Sequence, residues 1–288
     1  MIERKWLGDF SYLHRPAEGT PRARVHFAHA TGFHAGTYRS LFERLDPSLE
    51  VFALDQRGHG RTKAEADPKK LRSWDPYRDD LVAFLEAMGG EFVLAGHSMG
   101  GIVSLGAEAA RPEAVRGIVL VEPVMIPRPA RYLFALLQPL GAGWRIPLAK
   151  KARTRRDDFQ SKEEAFESWR ERPVFADWKE PFLHDYVEDA FEARPDGSGV
   201  KLTCTPEWEA HTFAYSNPRY MAWVKAGRAP ITLLRAGKGS TCPARSRDDV
   251  RAARPDTKDV FLPECSHFIP MERPEAVIEA IEAMALGR

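Results

Sequence analysis

The sequence predicts an α/β protein, with a mostly parallel central sheet flanked by helices and interrupted by a helical insertion. Three observations point to it. Short apolar runs alternate with helical patterns through the first 123 residues, as βαβ units require. The alternation stops after Pro123, and up to about Ala229 aromatic and charged residues recur at helical spacing with no clear strand. From Pro230 the strand–helix order resumes to the end of the chain. The expected organisation is a core made of residues 1–123 and 230–288, with residues 124–229 inserted into it.

Each element has its own signal. "RVHFAHA" (24–30) and "LEVFALD" (49–55) are short apolar runs that read as buried strands. In 74–90 the residues Tyr77, Leu81, Phe84, Leu85 and Met88 recur at helical spacing, and Gly89 can end the helix. "EFVLAG" (91–96) and "RGIVLVEP" (116–123) are strands again, joined by a small-residue helix from about Met99 to Ala110. Beyond the insertion, "PITLLRAG" (230–237) and "KDVFLPE" (258–264) read as strands. Residues 246–255 and 273–287 read as helices, the last with Pro274 near its start.

Composition removes several function classes. At 288 residues, 43% hydrophobic and 29% charged, the chain is of ordinary globular type. A net charge of +1 gives no electrostatic case for nucleic acid or an anionic membrane as partner. No apolar run resembles a signal peptide or is long enough to span a membrane. Cys204, Cys242 and Cys265 are odd in number, widely spaced and without C-x-x-C spacing. They are expected to be buried free thiols with no metal role, in a cytoplasmic protein. The basic run 150–156 reads as a solvated helix face.

Chemistry is concentrated in three loops. "GHSMG" (96–100) fits G-x-S-x-G and stands between an apolar strand and a helix, the setting of a nucleophile elbow. Such a turn lifts the hydroxyl of Ser98 to the carboxyl end of the sheet, where open α/β sheets bind their ligands. "HATGF" (29–33) follows a strand and can turn backbone N–H groups toward that elbow. The expected oxyanion donors are the N–H groups of Met99 and Phe33. His29 is expected to brace the loop, and His34 to stand either at the site mouth or in solvent. A serine hydroxyl needs a base, and His267 in "PECSHFIP" (263–270), after the last strand, is placed to be one.

Taken together, "HATGF", "LDQRGHGRT" (54–62), "GHSMGG" and the terminal "SHF" resemble the α/β-hydrolase-fold superfamily over nearly the whole chain. The resemblance implies a serine hydrolase needing no cofactor, with Asp55 and Arg57 anchoring a loop and residues 124–229 forming a helical cap. In that family the loop after the strand 230–237 usually carries an aspartate about where Ser240 stands; here it has no Asp or Glu. The resemblance places the strand ending at Glu122 directly beside the nucleophile strand, so Glu122 is expected to supply the acid. Asp248, Asp249 and Glu264 are its rivals.

The aromatic content of the insertion suggests an apolar pocket, with His34, Trp144, Trp178 and Phe213 as candidate contacts. The expected substrate is a small hydrophobic or aromatic carboxylic ester. Lactone hydrolysis, cleavage of a carbon–carbon bond in a β-diketone, and a ligand-binding receptor role on the same fold stand as alternatives.

Overall fold

The computed structural model describes residues 1–288. The chain opens with β1 (Glu3–Leu7), β2 (Phe10–Arg15) and β3 (Ala23–Ala28), then α1 (Arg39–Glu43), β4 (Leu49–Leu54), α2 (Asp75–Met88), β5 (Phe92–His97), α3 (Met99–Ala110) and β6 (Val115–Val121). The insertion carries α4 (Ala130–Leu137), α5 (Pro147–Arg153), β7 (Asp158–Phe159), α6 (Lys162–Arg170), α7 (Phe182–Ala190), β8 (Phe191–Ala193), β9 (Val200–Leu202), α8 (Pro206–Ala214) and α9 (Tyr220–Ala226). The chain closes with β10 (Ile231–Ala236), α10 (Ala244–Ala253), β11 (Lys258–Leu262), α11 (Ile269–Glu272) and α12 (Pro274–Leu286).

Eight strands form one sheet in the order β1-β2-β4-β3-β5-β6-β10-β11. All neighbours from β4 to β11 are parallel; β1 and β2 add an antiparallel edge. The alternation of apolar side chains along each central strand divides the core between the two faces. Val25, Phe27, Val93, Ala95, Val119 and Val121 belong to one buried cluster, and Phe92, Leu94, Ile118 and Leu120 to the other. Burial on both faces explains why these strands read as continuous apolar runs.

Register places the site. Gly96 of β5 pairs with Ala28 of β3 on one side and Leu120 of β6 on the other. The chain therefore leaves all three strands at the same edge of the sheet. The next strand in sequence lies on opposite sides for β3 and β5, so the crevice at their carboxyl ends is a topological switch point.

Two features depart from the sequence expectation. The N-terminal hairpin β1–β2 has no strong apolar signal, because β1 has only exposed and half-buried residues, with no buried one. The insertion is not wholly helical: β7, β9 and β8 form a small antiparallel sheet. Its strands have two or three residues, too short for a period-2 pattern to register. No helix is long and apolar enough to cross a membrane. The three cysteines are free and buried.

Candidate active site

Ser98 follows β5 with φ 57° and ψ −117°, a left-handed conformation that costs a non-glycine residue about 1–3 kcal/mol. Two glycines permit the turn. A methyl group at Gly96 would overlap the Gly100 backbone, and one at Gly100 would overlap the Ala28 carbonyl. Ser98 N–H donates to Val121 O at 2.9 Å, tying the elbow to β6. Met99 opens α3, where a first-turn N–H lacks an intrahelical partner. The Phe33 N–H instead donates to Ala30 O at 3.2 Å, closing a turn in the 29–33 loop.

Glu122 ends β6 in a second left-handed conformation, φ 45°. Its carboxylate is fully buried. Oε1 accepts from Ala236 N–H at 2.6 Å and the Ser240 hydroxyl at 2.7 Å, and Oε2 accepts from Thr241 N–H at 2.9 Å. His267 Nδ1 lies 3.4 Å from Oε2 and 3.2 Å from Thr241 Oγ1. Burial pushes the Glu122 carboxyl up, but the hydrogen bonds from His267, Ala236 and Ser240 outweigh it and hold it below the usual range. The loop after β10 thus lacks a carboxylate of its own and points its donors at the carboxylate of the neighbouring strand.

The rivals of Glu122 are engaged elsewhere. Asp248 pairs with Arg247, Asp249 with Arg128 and Arg131, and Glu264 with Arg273.

His97, between Gly96 and Ser98, also reaches His267. Its Nε2 donates to the His267 carbonyl at 2.8 Å, and its Nδ1 accepts from the Tyr38 hydroxyl at 2.8 Å. Tyr38 Oη in turn accepts from Ala30 N–H at 3.2 Å. The carbonyl and the amide at the two ends of this chain fix every proton in it. Burial and the neighbouring His267 push the His97 imidazole well below its ordinary range, so it stays neutral. The sequence signal for this link was the motif's variable position, which the pattern itself leaves unspecified.

The 29–33 loop is braced by two further buried imidazoles. His29 Nε2 accepts from Gln56 N–H at 2.9 Å, and His59 Nε2 accepts from Gly32 N–H at 3.2 Å. Asp55 accepts from Ala35 N–H and Arg61 N–H, while Arg57 is held bidentate by Asp80. A histidine that accepts from a backbone N–H must be neutral. His26 Nε2 likewise accepts from Leu54 N–H at 3.3 Å, and burial lowers His59 to about 4 and His26 to about 3, against an ordinary value of about 6.5. The native state refuses protons that the unfolded chain takes up. Stability from these groups is therefore complete above about pH 6.5 and is lost as pH falls toward the native values. Between about pH 6.5 and 5 each histidine accounts for roughly 2 kcal/mol. From His26 and His59 alone, urea unfolding near pH 7 and near pH 5 should differ by about 4 kcal/mol; equal stabilities would refute the neutral-histidine assignment.

The four expected pocket contacts fall in different places. Trp178 packs on Phe33 at 5.7 Å and on Phe268, next to His267, at 5.4 Å between ring centroids. Its Nε1 is shielded from solvent and has no hydrogen-bond partner. His34 is neither at a mouth nor in solvent. It is buried, with Nδ1 accepting from Thr37 N–H and Nε2 donating to Tyr186 O at 2.9 Å, so it pins α7 to the core. Trp144 stands apart from Ser98, in a cleft of about 660 Å³ lined by polar residues such as Arg153, Lys201 and Glu207. Phe213 is half-buried on α8. No cluster of three or more His, Cys, Asp or Glu side chains is arranged to hold a metal ion.

The model of the Alpha/beta hydrolase family matches residues 27–280. A monoglyceride lipase from Rattus norvegicus is 33% identical over 119 residues, a match spanning 38% of this chain and 38% of that lipase. Lipase LipV from Mycobacterium tuberculosis is 27% identical over 91% of this chain and 92% of its own length. The crystal structure of E-2-(acetamidomethylene)succinate hydrolase superposes with a TM-score of 0.78 at 19% identity, covering 99% of this chain and 98% of that one. At that identity the superposition speaks for the fold alone.

Proposed function

The chain belongs to the alpha/beta hydrolase family, and we propose that within it the protein is a serine hydrolase cleaving a small hydrophobic or aromatic carboxylic ester. The observation that supports this best is the convergence of three strand ends at one sheet edge: Ser98 at positive φ after β5, Glu122 at positive φ after β6, and, after β11, His267 with its Nδ1 3.4 Å from Glu122 Oε2. Strained non-glycine residues cluster at functional sites, and here two of them stand on adjacent strand ends.

In this reading Ser98 Oγ attacks the ester carbonyl while His267 Nε2 takes its proton. The carbonyl π electrons move to oxygen, which the Met99 N–H stabilises. The Phe33 N–H joins it once the 29–33 turn opens toward the substrate. Collapse expels the alcohol, which receives the proton from His267, and leaves an acyl group on Ser98. Water, deprotonated by His267, then attacks the acyl carbonyl; collapse releases the acid as His267 returns the proton to Ser98 Oγ. Glu122 holds the His267 ring and stabilises its imidazolium form.

Residues 124–229 act as the cap over this edge and bound the acyl pocket, with Trp178, Phe33 and Phe268 as its apolar wall. A substrate oxygen would satisfy the Trp178 Nε1, whose burial without a partner costs about 1–3 kcal/mol. The test is covalent labelling by a fluorophosphonate, read by intact mass and peptide mapping, alongside turnover of aryl esters, lactones and β-diketones of graded size. Labelling at Ser98 with ester turnover is the expected result; an unlabelled Ser98 in a folded protein would end the reading. Trp178→Ala should move the preference toward longer acyl chains by roughly tenfold in kcat/KM, the worth of one or two methylenes in an apolar pocket. An unchanged ranking would remove Trp178 from the pocket.

A further inference from the structure

Helix α4 is built inside out. A helix on a soluble surface turns its apolar stripe inward and its charges outward. In α4 the buried side chain is Arg131, held by the Tyr220 hydroxyl and Asp249, each at 3.2 Å. The outward positions are Leu133, Leu136 and Leu137, continued by Leu140 one turn beyond. These recur at helical spacing and form one stripe. Leu136 and Leu140 are 71% and 82% exposed. Six of the eleven exposed large apolar side chains of the chain lie between Tyr132 and Leu148, so this is a patch rather than the scatter expected of any surface.

The charge around the patch is one-sided. Between Glu122 and Asp157 there are eight basic residues and no acidic one, in a chain whose net charge is only +1. Arg131 is buried, and Arg128, Arg155 and Arg156 have acidic partners. Arg145, Lys150, Lys151 and Arg153 are exposed and make no ion pair; Arg153 lies over the Trp144 ring at 5.5 Å. The run 150–156 is therefore a solvated face only in part. It continues an apolar surface with unpaired cations, on α5, which follows α4 through the turn at Ala142–Arg145.

We propose that α4 and α5 dock this protein on an anionic phospholipid surface, the leucines entering the acyl boundary while Arg145, Lys150, Lys151 and Arg153 meet the headgroups. Exposed apolar side chains followed along the chain by unpaired cations fit a surface that is apolar within and negative at its rim. A second copy of the chain would bring the same cations against each other. Lysine and arginine stems also extend the apolar area while keeping their charges in the headgroup layer. This site lies outside the proposed triad and does not depend on the hydrolase reading.

The test is co-flotation of the full chain, without substrate, with phosphatidylcholine vesicles and with equimolar phosphatidylcholine–phosphatidylglycerol vesicles. Two double variants are compared, Leu136→Asn/Leu140→Asn and Lys150→Gln/Lys151→Gln, with circular dichroism and thermal unfolding as fold controls. The wild type should bind the anionic vesicles and release as salt rises. Removing two cations should weaken binding about twenty-fivefold, at roughly fivefold for each. The leucine variant should fall to the level seen with neutral vesicles. Equal binding to neutral vesicles, no binding at all, or binding that survives either variant overturns the proposal. So does a dimer in sedimentation that the leucine variant dissolves while vesicles are ignored.

Discussion

Ser98→Ala is expected to leave a folded protein whose ester hydrolysis is lowered by on the order of 10⁶ in kcat. Without the hydroxyl there is no acyl-enzyme, and the remaining backbone donors and pocket can only hold substrate against attack by water. A second substitution separates the chemistry from the strain. Ser98 sits at φ 57°, where glycine is at ease, so Ser98→Gly should lose the same activity while gaining about 1 kcal/mol of stability. Activity in either variant equal to that of the wild type would remove Ser98 from the reaction. Equal or lower stability of the glycine variant would show that the elbow is held by its surroundings without strain at this residue.

The parts of this arrangement that could be read from sequence are those that depend on local chain geometry. The elbow announces itself because Gly96 and Gly100 stand two residues either side of Ser98, and both are required by close backbone contacts. The parallel strands announce themselves because both their faces are buried, which leaves unbroken apolar runs such as "FVLA". What stayed hidden depends on partners distant in sequence. His97 and Tyr38 are 59 residues apart and meet only in the folded chain. The donors of the 236–241 loop meet Glu122 across at least 114 residues. Ser240 reads as a departure from the family pattern, yet in the structure it donates a hydrogen bond to the Glu122 carboxylate. The inverted polarity of α4 was hidden for another reason: a helical period gives the spacing of apolar residues but not which side faces the protein.

Glu122→Gln should lower kcat by about 10³ to 10⁴ and leave the sheet intact, the scale seen when the acid of a serine triad becomes an amide. The hydrogen-bond inventory gives the reason. Oε2 now accepts from Thr241 N–H at 2.9 Å and faces His267 Nδ1 at 3.4 Å. An amide places either its NH₂ there, opposing two donors, or its oxygen there, opposing Ala236 N–H and the Ser240 hydroxyl with the NH₂ instead. Either orientation leaves a buried donor unmatched, at about 1–3 kcal/mol of stability. The charge also matters. The carboxyl is held below its ordinary range in the native state. Its stabilising contribution is therefore present above about pH 4.5 and is lost as pH falls through the native value, so the stability gap between wild type and variant should close on acidification. Thr241 decides between two accounts of His267, because its Oγ1 lies nearer to Nδ1, at 3.2 Å, than the carboxylate does. If Glu122 orients and charges the histidine, Thr241→Val should cost only about tenfold in kcat, the loss of one neutral hydrogen bond. A Thr241→Val loss as large as that of Glu122→Gln would make the hydroxyl the working acceptor and Glu122 its support. Normal turnover by Glu122→Gln would return the search for the acid to the rest of the chain.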